Sequence, residues 1–121
     1  MKSIYPSKGR VSVWTGTFRS EDEFDAAVDL ALVPKLDLPC DIASIAEVAH
    51  EDRPVSIREL LTGFSGDHTF IDRTLAEARR LGVEDATSAL VAYHLEVECD
   101  LGPSDSGLCF IGCFVGSDIT A

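Results

Sequence analysis

Ser88-Ala89-Leu90-Val91-Ala92-Tyr93-His94-Leu95-Glu96-Val97-Glu98-Cys99 decides the fold class, because its side chains alternate with period two where the preceding segment runs at helical period. Ala89, Val91, Tyr93, Leu95 and Val97 share one face, and His94, Glu96 and Glu98 share the other. That pattern predicts a half-buried strand. The turn-rich Gly102-Pro103-Ser104-Asp105-Ser106-Gly107 leads into Leu108-Cys109-Phe110-Ile111-Gly112-Cys113-Phe114-Val115. This second run is apolar on both faces and reads as a strand central in its sheet. A third strand is predicted over 10–18, where β-branched and aromatic residues dominate, with Val11 and Val13 on one side and Trp14 and Phe18 on the other. The expected order places the last strand between the first strand and 88–99.

Helical signals fill the space between. Ser20-Glu21-Asp22-Glu23 matches a capping box, followed by a helix over about 21–33 whose Phe24, Ala27, Val28 and Ala31 form an inward stripe. Asp22, Asp25 and Asp29 fall on its opposite face. Acids suit a helix N-terminus, but Asp29 lies near the negative end and repels Asp25 at i,i+4. The stripe therefore reads either as a solvated face or as one turned toward a partner. Residues 34–53 contain Pro34 and Pro39, with Asp37, Asp41, Glu47, Glu51 and Asp52 around a possible short helix over 42–49. Ser56-Ile57-Arg58-Glu59 is a second capping box leading into Leu60-Leu61, and Gly63 stops the turn. A third helix is expected to be capped by Asp67, with Ile71, Leu75 and Ala78 inward and Gly82 after its end. The whole chain, 1–121, is thus expected to be one α+β domain. Its mainly antiparallel sheet would have about three to four strands, with helices inserted between the first strand and a C-terminal β-hairpin.

Charge is segregated along the chain. Residues 1–19 sum to +4, 20–52 to −9, 53–82 to +1 and 83–121 to −7, for a total of −11. So much like charge in a small domain favours solubility or a cationic partner, and argues against nucleic acid as a direct ligand. With 45% apolar residues, nine glycines and five prolines, the composition is that of a folded globule. The first residues, Met1-Lys2-Ser3-Ile4-Tyr5-Pro6, carry no apolar signal core, so the expected compartment is the cytoplasm. The longest apolar stretch, 108–115, falls short of the ~20 residues a membrane helix needs. Cys40, Cys99, Cys109 and Cys113 then read as reduced thiols.

Catalytic signatures are weak. His94, Glu96 and Glu98 on one strand face form a set that a borderline metal accepts, which motivates an alternative reading as a small metal-binding enzyme. Alternating polar residues are, however, what any solvent-facing strand shows. His50 and His68 sit beside acids and read as exposed loop and helix-start residues. Cys109-x3-Cys113 lacks the spacing of a structural zinc site, and no phosphate loop, nucleophile elbow or HExxH occurs. No metal, cofactor or catalytic residue is expected. A further alternative is a self-associating structural or regulatory module using Trp14, Phe18, Phe110 and Phe114 as its interface.

Three stretches carry a family resemblance. They are Val11-Ser12-Val13-Trp14-Thr15-Gly16-Thr17-Phe18 with Ser20-Glu21-Asp22-Glu23-Phe24, then Leu60-Leu61-Thr62-Gly63-Phe64-Ser65, and Phe110-Ile111-Gly112-Cys113-Phe114 after the Tyr93 strand. In this order and spacing the chain resembles the immunity protein 22 family, small bacterial proteins predicted to neutralise toxin domains encoded beside them. It departs from that pattern at Glu47-Val48-Ala49-His50-Glu51-Asp52, where an aromatic would be expected. The resemblance implies an α+β fold and a toxin-binding role without a catalytic residue. The expected function is a cytosolic immunity protein that neutralises a cationic toxin domain, such as a nuclease, through its acidic surface. The contact residues expected are Asp22, Asp25, Asp29, Asp37, Asp41, Glu47, Glu51, Asp52, Glu96 and Glu98.

Overall fold

Alternating apolar residues, long enough to span a sheet and apolar on both sides, need cover on both faces, and the helices supply it. The computed structural model describes residues 3–32, 46–64, 66–98, 102–103 and 107–115, with side chains described for 8–28, 46–64, 66, 68–94, 96 and 107–115. In chain order the elements are β1 (Ser3–Gly16), α1 (Glu21–Leu32), β2 (Ala46–Ser56), α2 (Ile57–Leu61), α3 (Asp67–Arg80), β3 (Asp85–Glu98), β4 (Gly102–Pro103) and β5 (Leu108–Val115). They form a small α+β fold. The strands make one antiparallel sheet in the order β2-β3-β1-β5-β4, four long strands with the two-residue β4 at one edge.

Two cores result, one on each face. Val11, Val13, Val91, Tyr93 and Ile111 pack against Ile57, Leu61, Phe70 and Ala78 of α2 and α3. Trp14, Leu90, Ala92, Leu108 and Phe110 pack against Phe24 and Ala27 of α1. The predicted sidedness of Val11 and Val13 against Trp14 therefore holds, and Phe18 joins the Trp14 face.

Several expectations are corrected. The last strand does not lie between β1 and β3: β1 itself is central, pairing β3 along one edge and β5 along the other. β3 and β5 are accordingly not a hairpin, and β5 pairs instead with β4 through Gly102 and Pro103. β3 is not half-buried, since residues 86–93 are all buried by the helices on both faces. The same double cover, rather than a central place, explains the apolar run of β5. Residues 46–49 lie in strand β2, pairing with 89–92, where a short helix had been predicted; the remainder of that helix lies outside the described residues. Four residues of weak period gain more from an open sheet edge than from one helical turn. Pro54 falls within β2 at that edge, in the 51–54 bulge where no ladder donor is needed.

The helix signals read more directly. Glu23 N–H donates to Ser20 Oγ and Glu59 N–H to Ser56 Oγ, both at 3.2 Å, so both capping boxes form their hydroxyl half. α3 differs: Gly66, in the left-handed region at φ 64°, is its N-cap, and Asp67 is the first helical residue. Gly82, at φ 80°, ends it as predicted.

Two irregularities reset the alternation. Trp14 pairs with Phe110 but Val13 with Gly112, which leaves Ile111 as an extra residue in β5. After this bulge Cys113 turns toward α1 and Phe114 toward α2 and α3, so Phe110 and Phe114 occupy opposite faces. Gly112 permits it: a Cβ there would lie 3.0 Å from Phe114 Cζ. The proposed aromatic self-association face is thereby overturned, because Trp14, Phe110 and Phe114 are at most 8% exposed and split between the two cores. In the second irregularity residues 7–10 stand opposite His94 alone. His94 has φ 58°, and its Nδ1 accepts from Gly9 N–H at 3.0 Å.

Candidate functional site: an acidic end of the sheet

The strand register sets the positions of the acids. His50, Ser88, Gly16 and Leu108 form one row across β2, β3, β1 and β5. Beyond that row lie the 51–54 bulge of β2, the start of β3 at Asp85, the connection from β1 to α1, and the C-terminal end of α3. Two side-chain contacts join α1 to this end. The Phe24 ring stacks on His50 at 6.2 Å and lies 5.6 Å from Phe18. Glu21, Asp22, Asp25, Glu51, Asp52, Glu84 and Asp85 all project here, are exposed, and form no ion pair among the described residues. Arg53 and Arg79 are the cations of this end likewise left unpaired. Glu51, Asp52, Arg53, Val55 and Glu59 border a hollow of about 540 Å³. The opposite end carries Lys8 and Arg10.

The predicted contact residues divide accordingly. Asp22, Asp25, Glu51 and Asp52, far apart in sequence, are brought to one end. Glu47 lies apart from them: its Oε1 accepts from the Tyr93 hydroxyl at 2.5 Å. Its carboxylate satisfies a phenol whose ring is buried against Phe70. Glu96 lies at the other end, with its Oε1 3.5 Å from Arg10 Nε. Asp37 and Asp41 lie outside the described residues, as do the side chains of Asp29 in α1 and Glu98 in β3. Glu21, Glu84 and Asp85 were missed. The −7 charge of 83–121 carried that signal, but only the register places Asp85, and Glu84 before it, at the same end of the sheet as Glu51.

His50 is not a loop residue: on β2 its Nδ1 lies 2.7 Å from the Ser88 hydroxyl, which is 3.1 Å from Thr87 Oγ1. Thr87 in turn accepts from Phe18 N–H at 2.9 Å, tying the start of α1 to the sheet. His68 is exposed in the first turn of α3, as expected. At His94 the positive φ interrupts the alternation on which the His94, Glu96, Glu98 set rested, and Nδ1 and Glu96 are already engaged.

A second hollow of about 390 Å³ opens at the same end, bordered by Thr15, Gly82, Glu84, Asp85, Gly107 and Cys109. Thr15 is only 1% exposed, and its Oγ1 has no hydrogen-bond partner. The side chains of its cross-strand neighbours, Ala89 and Cys109, carry no oxygen. Thr15→Val, which keeps the shape and removes the orphan hydroxyl, is expected to raise stability by about 1 kcal/mol in chemical denaturation. Burial pushes the Cys109 thiol up from its ordinary range, so it stays protonated at neutral pH. Cys109 is therefore expected to alkylate with iodoacetamide at least about tenfold more slowly than the less buried Cys113, read by peptide mass spectrometry.

The arrangement defines a class: a small α+β domain that gathers exposed carboxylates, without ion pairs among the described residues, at one end of its sheet. No helix among the described residues is long and apolar enough to cross a membrane. No protein-family model, curated protein or solved structure matches the chain.

Proposed function

We propose that this is a cytosolic immunity protein that binds a cationic toxin domain and blocks it by covering the positive surface with which the toxin engages its own substrate. The observation that carries the reading is the convergence of Glu21, Asp22, Asp25, Glu51, Asp52, Glu84 and Asp85 at one end of the sheet without ion-pair partners among the described residues. Glu47 and Glu96, by contrast, are engaged within the fold. Seven carboxylates left unpaired at one end repel one another, a cost that an approaching cationic surface relieves. The family resemblance at 11–18, 20–24, 60–65 and 110–114 supports the same role. A toxin whose substrate is a polyanion, such as a nuclease, presents the complementary charge.

The test is the association rate with the toxin encoded beside this protein, measured by stopped flow from low salt to about 0.5 M, where screening acts within a few ångströms. The rate is expected to fall steeply with salt. A flat profile rejects the acidic end as the recognition element.

A further inference from the structure

We infer that the outer edge of β2 over 46–50 accepts an extended segment of the cationic partner as an added strand, an inference that rests on the toxin-binding reading above and names how that partner is held. The sheet ends in two edges. One is β4, two residues that include a proline without an N–H, too short to template a strand. The other is β2, in continuous register with 88–92 over 46–50. Alternate residues of an antiparallel strand turn their N–H and C=O outward, and no strand lies beyond β2 among the described residues to receive them. The 51–54 bulge and Pro54 interrupt the ladder, which confines an added strand to 46–50.

Side chains mark the same edge. Ala46 and His50 share one side of the strand and pack against the α1 core and the Phe24 ring, whereas Val48 between them is 55% exposed. It is one of the two large exposed apolar side chains among the described residues. An apolar residue on an added strand covers it, while main-chain hydrogen bonds supply the affinity. The Glu47 carboxylate is engaged by Tyr93, so side-chain contact falls to Ala46, Val48, Ala49 and His50. Charge selects the occupant. Just beyond the edge, Glu51, Asp52, Arg53, Val55 and Glu59 border the hollow of about 540 Å³, three carboxylates against one guanidinium for a net −2. A segment that leaves the edge there meets this hollow with a lysine or arginine. A second copy would instead bring the same carboxylates to a shared seam, and each copy carries −11.

The experiment uses the whole protein, ¹⁵N-labelled, titrated with a capped hexapeptide that alternates lysine and valine. Saturable shifts are expected at the amides of 46–50, with slowed hydrogen exchange there and a dissociation constant at about the millimolar level for so small a probe. The same peptide with every backbone nitrogen methylated keeps its charge but has no N–H to donate, and is expected to bind at least about tenfold more weakly. A peptide alternating glutamate and valine should lose about as much. Val48→Lys should weaken the lysine-valine peptide about tenfold, and Val48→Thr, which keeps a β-branched side chain, less than about threefold. Val48 is exposed, so neither change unfolds the sheet. With the toxin domain proposed as partner, Val48→Lys is expected to raise the dissociation rate about tenfold and Val48→Thr to leave it within about twofold. Shifts scattered away from 46–50, equal binding of the methylated or the glutamate peptide, or a dimer in sedimentation that Val48→Lys dissolves each overturn the assignment, the last by giving the edge to a second copy. Absence of peptide binding while toxin association still depends on salt rejects the edge and leaves the functional reading standing. Peptide pairing at 46–50 with salt-independent toxin association does the reverse.

Discussion

Reversing Asp22 and Asp25 together with Glu51 and Asp52 is expected to slow association with the toxin domain proposed as partner by about ten- to a thousandfold at low salt, while dissociation changes far less. Each acid-to-lysine change shifts the charge by two, so four changes take the protein from −11 to −3. The lost charge comes from one end of the sheet, where α1 and the β2 bulge adjoin through the Phe24 and His50 rings. Long-range steering depends on charge placed on one surface, and exposed carboxylates contribute little to holding the complex once formed. Each pair alone should account for part of the loss, and the logarithms should add if both blocks face the toxin. Rates within twofold of the parent for both pairs would show that neither block meets the partner. The substitutions should cost the fold little, because all four side chains are exposed and none forms an ion pair.

Phe24→Ala is expected to cost about 3–5 kcal/mol and to lower Tm by about 10–20 °C, against a total stability of about 5–15 kcal/mol. Phe24 is 1% exposed and is the largest side chain that α1 contributes to its core. Its ring also meets Phe18 and His50, so its loss loosens three elements together. Phe24→Leu keeps most of the volume and should cost less than about 1.5 kcal/mol. Thermal unfolding followed by circular dichroism reads both. A Tm unchanged by Phe24→Ala would mean that α1, with Glu21, Asp22 and Asp25, is not docked on the sheet. Weakened toxin binding in Phe24→Ala but not in Phe24→Leu would show that the acids act only when the helix holds them.

Much of the local structure was legible in the residues. Ser20 and Ser56 announced helix starts because a hydroxyl three residues ahead of an orphan amide satisfies it whatever the rest of the fold does. Gly82 marked the end of α3 for a similar reason, a left-handed residue that costs glycine nothing. β2 was misread because 46–50 carries little period of its own and gains its strand state from β3. The aromatic face was misassigned because Ile111 enters as an extra residue, a feature that depends on the register with β1. At the site the sequence identified the acidic blocks but not their use: Glu47 and Glu51 look alike in the chain, four residues apart. One accepts from Tyr93 and the other is exposed without an ion pair.

The sequence by itself determined the α+β class, the capped helix starts, the sidedness of Val11, Val13 and Trp14, and the excess of negative charge. These follow from interactions within a few residues or from composition. Only the tertiary structure decided that β1 lies at the centre, that Phe110 and Phe114 part company, and that carboxylates from three distant segments meet at one end while Glu47 and Glu96 are taken up elsewhere. Those outcomes depend on which strands pair and in what register, a choice made by burying both sheet faces at once and invisible to any short window of the chain.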